Sequence, residues 1–474
     1  DFIAYLYGFS PNVQLILDKF KFRNQIDTMV DVDILGAVIE KFTSSDINLS
    51  PNPIYKDEDK KILKHPGLDN HGMGTIFEEL IRKFNEENNE EAGEHWTPRD
   101  VVELMADLVF VPIEDKIKDA TYSCYDGACG TGGMLTVAQA RLNELAIKSG
   151  KEVAIHLFGQ EINPETYAIC TADMLLKGDG EEADHIMYGS TLSDDQHASR
   201  QFDFMLSNPP YGKSWKTDAE KMGGKKDILD TRFNTYLEDG EELQMLPRTS
   251  DGQLLFLLNN VAKMKKDTEL GSRIAEVHNG SSLFTGDAGS GESNARRYMI
   301  ENDLVEAMEM KSPLRKNMGK KNCEFTPEIR EKILQIFMDM EESEVSHVFD
   351  NSEFGYWSVT VERPMRLKVY PERIIPEGTF KKAEELKTYK TAIENLPSGT
   401  PLDDWTAFAR ATKLKAAMLK KVRPFITEKD PNAKAIEGEA DADLRDTEIV
   451  PLNYAGGIDA FMKNEVLTYA PDAW

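Results

Sequence analysis

Thr121-Tyr122-Ser123-Cys124-Tyr125-Asp126-Gly127-Ala128-Cys129-Gly130-Thr131-Gly132-Gly133 is the stretch whose reading decides the fold. Thr121 to Tyr125 predicts a short strand, Asp126 to Gly133 a glycine-rich turn, and Met134 to about Ile147 a helix. Strand, glycine turn and helix in succession is the nucleotide-loop arrangement of a doubly wound parallel sheet. The glycines permit a sharp turn and a close approach of backbone to a ligand. The pattern is D-G-x-x-G-T-G-G rather than G-x-G-x-x-G, and Asp126 sits at the strand end. That placement suits a carboxylate facing an ammonium better than amides facing a pyrophosphate. No Gly-Lys-Ser/Thr follows, which disfavours a phosphate-cradling P-loop.

Moving outward, Ile155 to Gly159 predicts the next strand, closed by Gln160-Glu161-Ile162-Asn163-Pro164. An acid at the end of the second strand is where a ribose diol is read in such folds, although an exposed loop carboxylate has the same appearance. A later apolar run, Phe202-Asp203-Phe204-Met205-Leu206, predicts a buried strand feeding Ser207-Asn208-Pro209-Pro210-Tyr211. Each proline fixes its own φ and restricts the residue before it, so this turn keeps its shape without a ligand. It is either a rigid corner or a site presenting the Asn208 side-chain oxygen, the Pro209 carbonyl and the Tyr211 ring to a planar group bearing an NH2. Loop acid, second-strand acid and this turn occur in the order that favours a site. Upstream, Thr97 as N-cap with Pro98 at the first helical position predicts a helix over Val101 to Leu108.

The flanks are plainer. Residues 1 to about 90 read as helical, with shared faces at Val13, Ile16, Leu17 and Phe20, at Leu35, Val38, Ile39 and Phe42, and at Ile76, Leu80, Ile81 and Phe84. The acidic run Asn85 to Glu91 marks a boundary. Beyond the Asn208 turn lie basic stretches at Lys213 to Lys226 and Lys311 to Lys321, the first a candidate for phosphate contacts or a solvated loop. Further expected elements are a helix at Phe256 to Met264, a strand at Arg273 to His278, a glycine-rich loop at Gly280 to Ser293, a helix at Pro327 to Met340 and a strand at Gly355 to Val361. Asp267, Glu269 and Arg273 read as surface charges. Residues 428 to 447, acidic and poor in aromatics, predict local flexibility.

With 474 residues the chain exceeds one small core, and 40% hydrophobic residues suffice for ordinary packing. No apolar run approaches the roughly 18 residues needed to span a bilayer. The four cysteines (Cys124, Cys129, Cys170, Cys323) have no metal-like pairing and suggest a reduced, cytoplasmic protein with no metal. A formal net charge of −27 is unlike that of a protein holding nucleic acid by bulk electrostatics, so any such contact needs local basic loops or a partner subunit.

The motif order, and several longer segments, resemble the modification subunit of type I restriction–modification systems, an N6-adenine DNA methyltransferase. The similar segments are Gly93-Glu94-His95-Trp96-Thr97-Pro98-Arg99, Gly159 to Pro164, His278-Asn279-Gly280-Ser281-Ser282-Leu283-Phe284, Gly289 to Ser293, Arg296-Arg297 and Ile300 to Leu304. Phe354-Gly355-Tyr356 and Val361-Glu362-Arg363-Pro364 continue the likeness.

The resemblance implies an α/β fold. Its doubly wound, Rossmann-like methyltransferase core, dependent on S-adenosylmethionine (AdoMet), spans 91–310, with an all-α N-terminal domain over 1–90. A mostly helical C-terminal region over 311–474 makes subunit contacts. It implies cofactor contacts from Thr97, Pro98, Asp126, Gly127, Gly130, Gly132 and Glu161, and catalytic roles for Asn208, Pro209, Pro210 and Tyr211. The substrate it implies is adenine in double-stranded DNA, and the partners are a specificity subunit and a restriction subunit, with two copies of this chain per specificity subunit and no membrane. The sequence departs from the family where strands and an aromatic loop are expected between Ala307 and Lys311, and in a continuation beyond Trp474. Asn-Pro-Pro-Tyr also occurs in enzymes that methylate glutamine side chains or RNA bases. A self-contained type II-like adenine methylase and a non-catalytic scaffold are the other readings.

Overall fold

A computed structural model describes residues 2–57, 59–68, 73, 76, 97–177, 180–237, 240–266, 268–302, 304, 307–310 (backbone) and 325–474. Outside them fall most of the expected helix face at Ile76, Leu80, Ile81 and Phe84, together with the acidic run at 85–91. Gly93 to Trp96, Asp267, the basic stretch Lys311 to Lys321, Cys323 and most of the departure near 307–311 fall outside as well. The chain forms two compact units, Asp1–Val348 and Phe349–Trp474.

The first unit is built on five parallel strands: β1 (Ala120–Asp126), β2 (Val153–Glu161), β3 (Ile186–Tyr188), β4 (Phe204–Ser207) and β5 (Arg273–Glu276). Their spatial order is β3-β2-β1-β4-β5, so the order reverses between β1 and β4. Ligands of such sheets bind outside the carboxyl ends of the strands at that reversal. The strands near 121, 155, 202 and 273 therefore form as the sequence suggests. The three-residue edge strand β3 gave no periodic signal.

Parallel strands covered on both faces need apolar residues at both parities, and these have them. Cys124, Leu157, Phe204 and Leu206 face one core with α1 (Arg99–Phe110) and α2 (Gly133–Lys148), where the Phe110 and Phe204 rings meet edge to face at 4.9 Å. Tyr125, Phe158, Phe202 and Met205 face the other, with Tyr125 stacked on Phe202 at 4.5 Å. The buried Asp203 at the entry to β4 accepts from Ser123 N and Oγ, both at 2.8 Å, and from Lys265 Nζ at 2.6 Å, which fixes β4 against β1. α3 (Pro164–Lys177) follows β2, and the four-residue α4 (Glu181–Asp184) leads into β3.

Helices at Phe2–Leu6, Pro11–Lys19, Phe22–Asp31 and Leu35–Phe42 precede a short hairpin, Ile54–Tyr55 with Leu63–His65, which qualifies the all-α expectation. Pro11–Lys19 packs on α3, and Lys19 Nζ lies 3.6 Å from the centre of the Tyr188 ring. Arg273, read as a surface charge, is part-buried and donates to Leu108 O at 3.3 Å. The glycine-rich stretch 280–293 is more ordered than a loop. It holds a 3-10 turn capped by Asn279 and the start of the helix Gly291–Glu301, capped by Ser290.

The second unit is mixed rather than mostly helical. Tyr356–Val361 pairs antiparallel with Asp446–Pro451, and Pro364–Val369 is flanked by Thr427–Lys429 and Ala435–Ala440. Helices Ala383–Glu394, Trp405–Thr412 and Ala416–Ile426 contribute Tyr389, Phe408, Val422 and Ile426 to a core with Leu367 and Val369. The acidic stretch 428–447 is strand and turn, not a flexible segment. Buried Ala433 and Ile436 anchor it, and Lys429 neutralises Asp441 and Asp443.

Candidate active site

Asp126 closes β1 and Ser207 closes β4, side by side at the reversal of strand order. Ser207 Oγ donates to Asp126 Oδ1 at 2.7 Å, and Ala128 N donates to the same oxygen at 3.0 Å. Burial nonetheless outweighs both bonds and pushes the Asp126 carboxyl up to about 7, with Glu161 and Glu276 adding to the rise. A buried carboxylate raised in this way gains from any cation placed against it.

The glycine turn is shaped by contact. A Cβ on Gly127 would stand 2.9 Å from Tyr125 Oη, and one on Gly132 2.8 Å from Cys170 Sγ. Gly130 and Gly132 take φ of 55° and 83°, which side chains other than glycine's rarely adopt. Glu161, at the end of β2, ties the turn down: Oε2 accepts from Gly130 N at 2.9 Å and Oε1 from Asn163 N at 2.7 Å. Two well-placed carboxylates thus border one loop.

Asn208 stands opposite. Its Nδ2 donates to Thr97 Oγ1 at 3.0 Å, across 111 residues of sequence. Its Oδ1 is buried and has no hydrogen-bond partner among the described residues. Leaving a buried acceptor unpaired costs roughly 1–3 kcal/mol, so such an atom calls for an explanation. Thr97 therefore does not cap the helix as expected. Pro98 is extended (φ −53°, ψ 132°) and occupies the N-cap position, α1 begins at Arg99, and no side chain among the described residues caps it.

A cleft of about 670 Å³ joins these parts. It is bordered by Thr97, Asp126, Gly127, Gly130, Glu161, Asn208, Pro209, Pro210 and Tyr211 among the residues singled out from sequence. Pro98 and Gly132 do not border it; they shape the backbone behind it. Tyr211 is 39% exposed at the rim. Lys213, from the basic stretch, borders the cleft too, and the adjacent Trp215 pins that stretch by donating its indole N–H to Arg248 O at 2.9 Å.

Sequence reasoning missed Ser190, Thr191, Asp218 and Phe256 in the wall. Ser190 and Thr191 follow β3, too short to show a period. Asp218 gathers the Ser190 and Ser193 hydroxyls at 2.6 Å each, a contact between distant segments. Gly189-Ser190-Thr191, a turn signal after an apolar triplet, was the one available hint.

The profile of the N-6 DNA methylase family matches residues 68–313. The chain belongs to this family. The matched span contains the whole sheet and every residue of the cleft. Among curated relatives, the chain is similar to the type I restriction enzyme MjaIX methylase subunit of Methanocaldococcus jannaschii. The two are 27% identical over 233 residues, covering 49% of this chain and 36% of the relative. It is also similar to the EcoEI methylase subunit of Escherichia coli, 29% identical over 212 residues, covering 43% and 41%. The match to the MpnII methylase subunit of Mycoplasma pneumoniae is 26% over 246 residues, covering 50% and 40%. The chain thus spans well under half the length of these relatives. A solved methyltransferase subunit of a type I restriction–modification system from Streptococcus thermophilus aligns at 22% identity with a TM-score of 0.43, covering 54% of this chain and 56% of that one.

Proposed function

We propose that this chain transfers a methyl group from AdoMet to the exocyclic N6 amine of an adenine flipped out of duplex DNA. The observation that carries the reading is Asn208 Oδ1, a buried acceptor without a partner, held beside a glycine turn flanked by two carboxylates. AdoMet, when bound, supplies an electrophilic sulfonium methyl. Asp126 would hold its ammonium and Glu161 its ribose diol, Gly127, Gly130 and Gly132 would let the backbone approach, and Thr97 and Pro98 would serve its methionine end. A base inside a duplex is out of reach of such a cleft and must be extruded. Asn208 Oδ1 and the Pro209 carbonyl then accept the two N6 hydrogens, drawing electron density onto nitrogen and pyramidalising it for attack. Pro210 holds the turn, and Tyr211 stacks on the flipped ring, worth ~1–3 kcal/mol. The proton leaves readily once nitrogen is alkylated, so alignment and preorganised acceptors carry most of the rate.

The relatives are named as methylase subunits of type I restriction enzymes. By that likeness this chain works in the cytoplasm as the modification subunit beside a specificity and a restriction subunit, two copies per specificity subunit, with the region 311–474 making subunit contacts. Its net charge of −27 fits weak DNA affinity on its own. The test is Asn208→Ala in the assembled complex. Methyl transfer falls on the order of 10²–10³-fold, as when one preorganised polar partner is removed from a reacting centre, while calorimetry shows AdoMet binding intact. Undiminished transfer overturns the role of Asn208.

A further inference from the structure

A second cluster of reactive side chains lies at the edge of the sheet. His156 is on β2, five residues before Glu161 and so about 16 Å from the cleft end of that strand at ~3.3 Å per residue. Glu182 lies on α4, and His185 caps it with helical dihedrals (φ −87°, ψ −9°), so the two project from one turn, three residues apart. One donor atom from each of the three residues lies within 4.8 Å of the other two. His156 Nδ1 is 2.9 Å from Glu182 Oε1, and Glu182 Oε2 accepts from Leu157 N at 2.6 Å, which fixes the carboxylate. His185 Nδ1 is buried, has no hydrogen-bond partner among the described residues and stands 3.6 Å from Glu182 Oε2. The Phe158 ring stacks on the His185 imidazole at 4.3 Å and holds its orientation.

We propose that His156, Glu182 and His185 form a binding site for a first-row transition dication of the zinc class. Two imidazoles and a carboxylate suit such an ion, whereas Mg²⁺ and Ca²⁺ prefer sites built of oxygens. Bonds of about 2.0–2.1 Å to a tetrahedral centre put neighbouring ligand atoms roughly 3.3 Å apart. The 2.9 Å from His156 Nδ1 to Glu182 Oε1 and the 3.6 Å from His185 Nδ1 to Glu182 Oε2 bracket that spacing, each on a different oxygen of the carboxylate. The unpaired His185 Nδ1 gains the partner it lacks, and His156 Nδ1 exchanges its bond to Glu182 for the ion, releasing any proton they share. The His156 side chain is 43% accessible, which leaves a side open for a water as fourth ligand.

The consequence is structural. The ion ties α4 to β2 just before β3, and β3 runs on to Ser190 and Thr191 in the cleft wall. The site is independent of the methyltransferase reading.

Titration of the whole chain with Co²⁺ tests it, read by the intense visible absorption of four-coordinate cobalt. The expected result is a saturable signal at one equivalent, displaced by Zn²⁺ and untouched by Mg²⁺. His156→Ala and His185→Ala each weaken it at least about tenfold, since losing even the groups behind a metal ligand costs that much. Circular dichroism confirms that both variants keep their fold. A weak six-coordinate spectrum from the unaltered chain overturns the proposal, as does a full four-coordinate signal surviving in the His156→Ala/His185→Ala double variant.

Discussion

The two walls of the cleft are built differently. On the cofactor side, Asp126 and Glu161 are braced from within: Ser207, Ala128, Gly130 and Asn163 supply four hydrogen bonds of 2.7–3.0 Å to the two carboxylates. On the opposite side, Asn208 donates one bond from its NH2 to Thr97, and its acceptor oxygen is unmatched among the described residues. The braced wall keeps its shape without a ligand, at the cost of a carboxyl raised to about 7 by burial. In the proposed reaction the open wall keeps this acceptor for an NH2 that arrives with the substrate. Preorganisation therefore takes two forms here, charge held in place on one wall and a hydrogen bond left unmade on the other.

Damage to the braced wall should fall on binding. Asp126→Asn keeps the shape and removes the charge, and the AdoMet Kd is expected to rise roughly 10- to 150-fold, the worth of a hydrogen bond to a charged group at about 1.5–3 kcal/mol; calorimetry reads it, and an unchanged Kd breaks the contrast. Tyr211→Ala should leave that Kd alone and weaken capture of the target base by about 5- to 150-fold, the value of one stacked base, read in the KM for DNA.

The raised carboxyl makes the braced wall sensitive to pH. An ammonium favours the ionised form of Asp126, so AdoMet affinity should fall by up to about tenfold per pH unit below about 7. Asp126→Asn should abolish that dependence. Stability carries the opposite sign. Between the ordinary 3.8 and about 7 the folded chain retains a proton that the unfolded chain has lost, so the ligand-free protein loses stability as pH rises through this window. Thermal melts should show Asp126→Asn gaining on the unaltered chain across it. The smallest effect belongs to Thr97. Thr97→Ala frees the Asn208 amide to rotate and should lower kcat about fivefold, the worth of one hydrogen bond near 1 kcal/mol, with the AdoMet Kd rising by less than that and Thr97→Ser restoring the rate. A loss confined to cofactor binding would instead put Thr97 on the braced wall.

Much of this was legible in the sequence because it is local. β1, its glycine turn and α2 are contiguous, and the prolines after Asn208 announce a rigid turn whatever surrounds it. What stayed hidden depends on long-range contact. Thr97 presents the pattern of a helix cap, and only folding reveals that its hydroxyl serves a residue 111 positions away. β3 is too short to show a period, so Ser190 and Thr191 were missed with it. Residues 428–447 have the composition of a flexible segment, yet Ala433, Ile436 and the pairing of Lys429 with two acids order them. His156, Glu182 and His185 escaped notice because the strand and the helical turn that carry them meet only in the folded sheet edge.

We propose above that the unmatched oxygen of Asn208 receives the amine of adenine in DNA. The most direct measurement is nucleoside analysis of duplex DNA after incubation with methyl-labelled AdoMet and this chain, with and without its specificity subunit. Label is expected in N6-methyladenine alone, dependent on the specificity subunit and lost in Asn208→Ala. Label in cytosine, in RNA or in a glutamine side chain, or no transfer at all by the assembled complex, would contradict it.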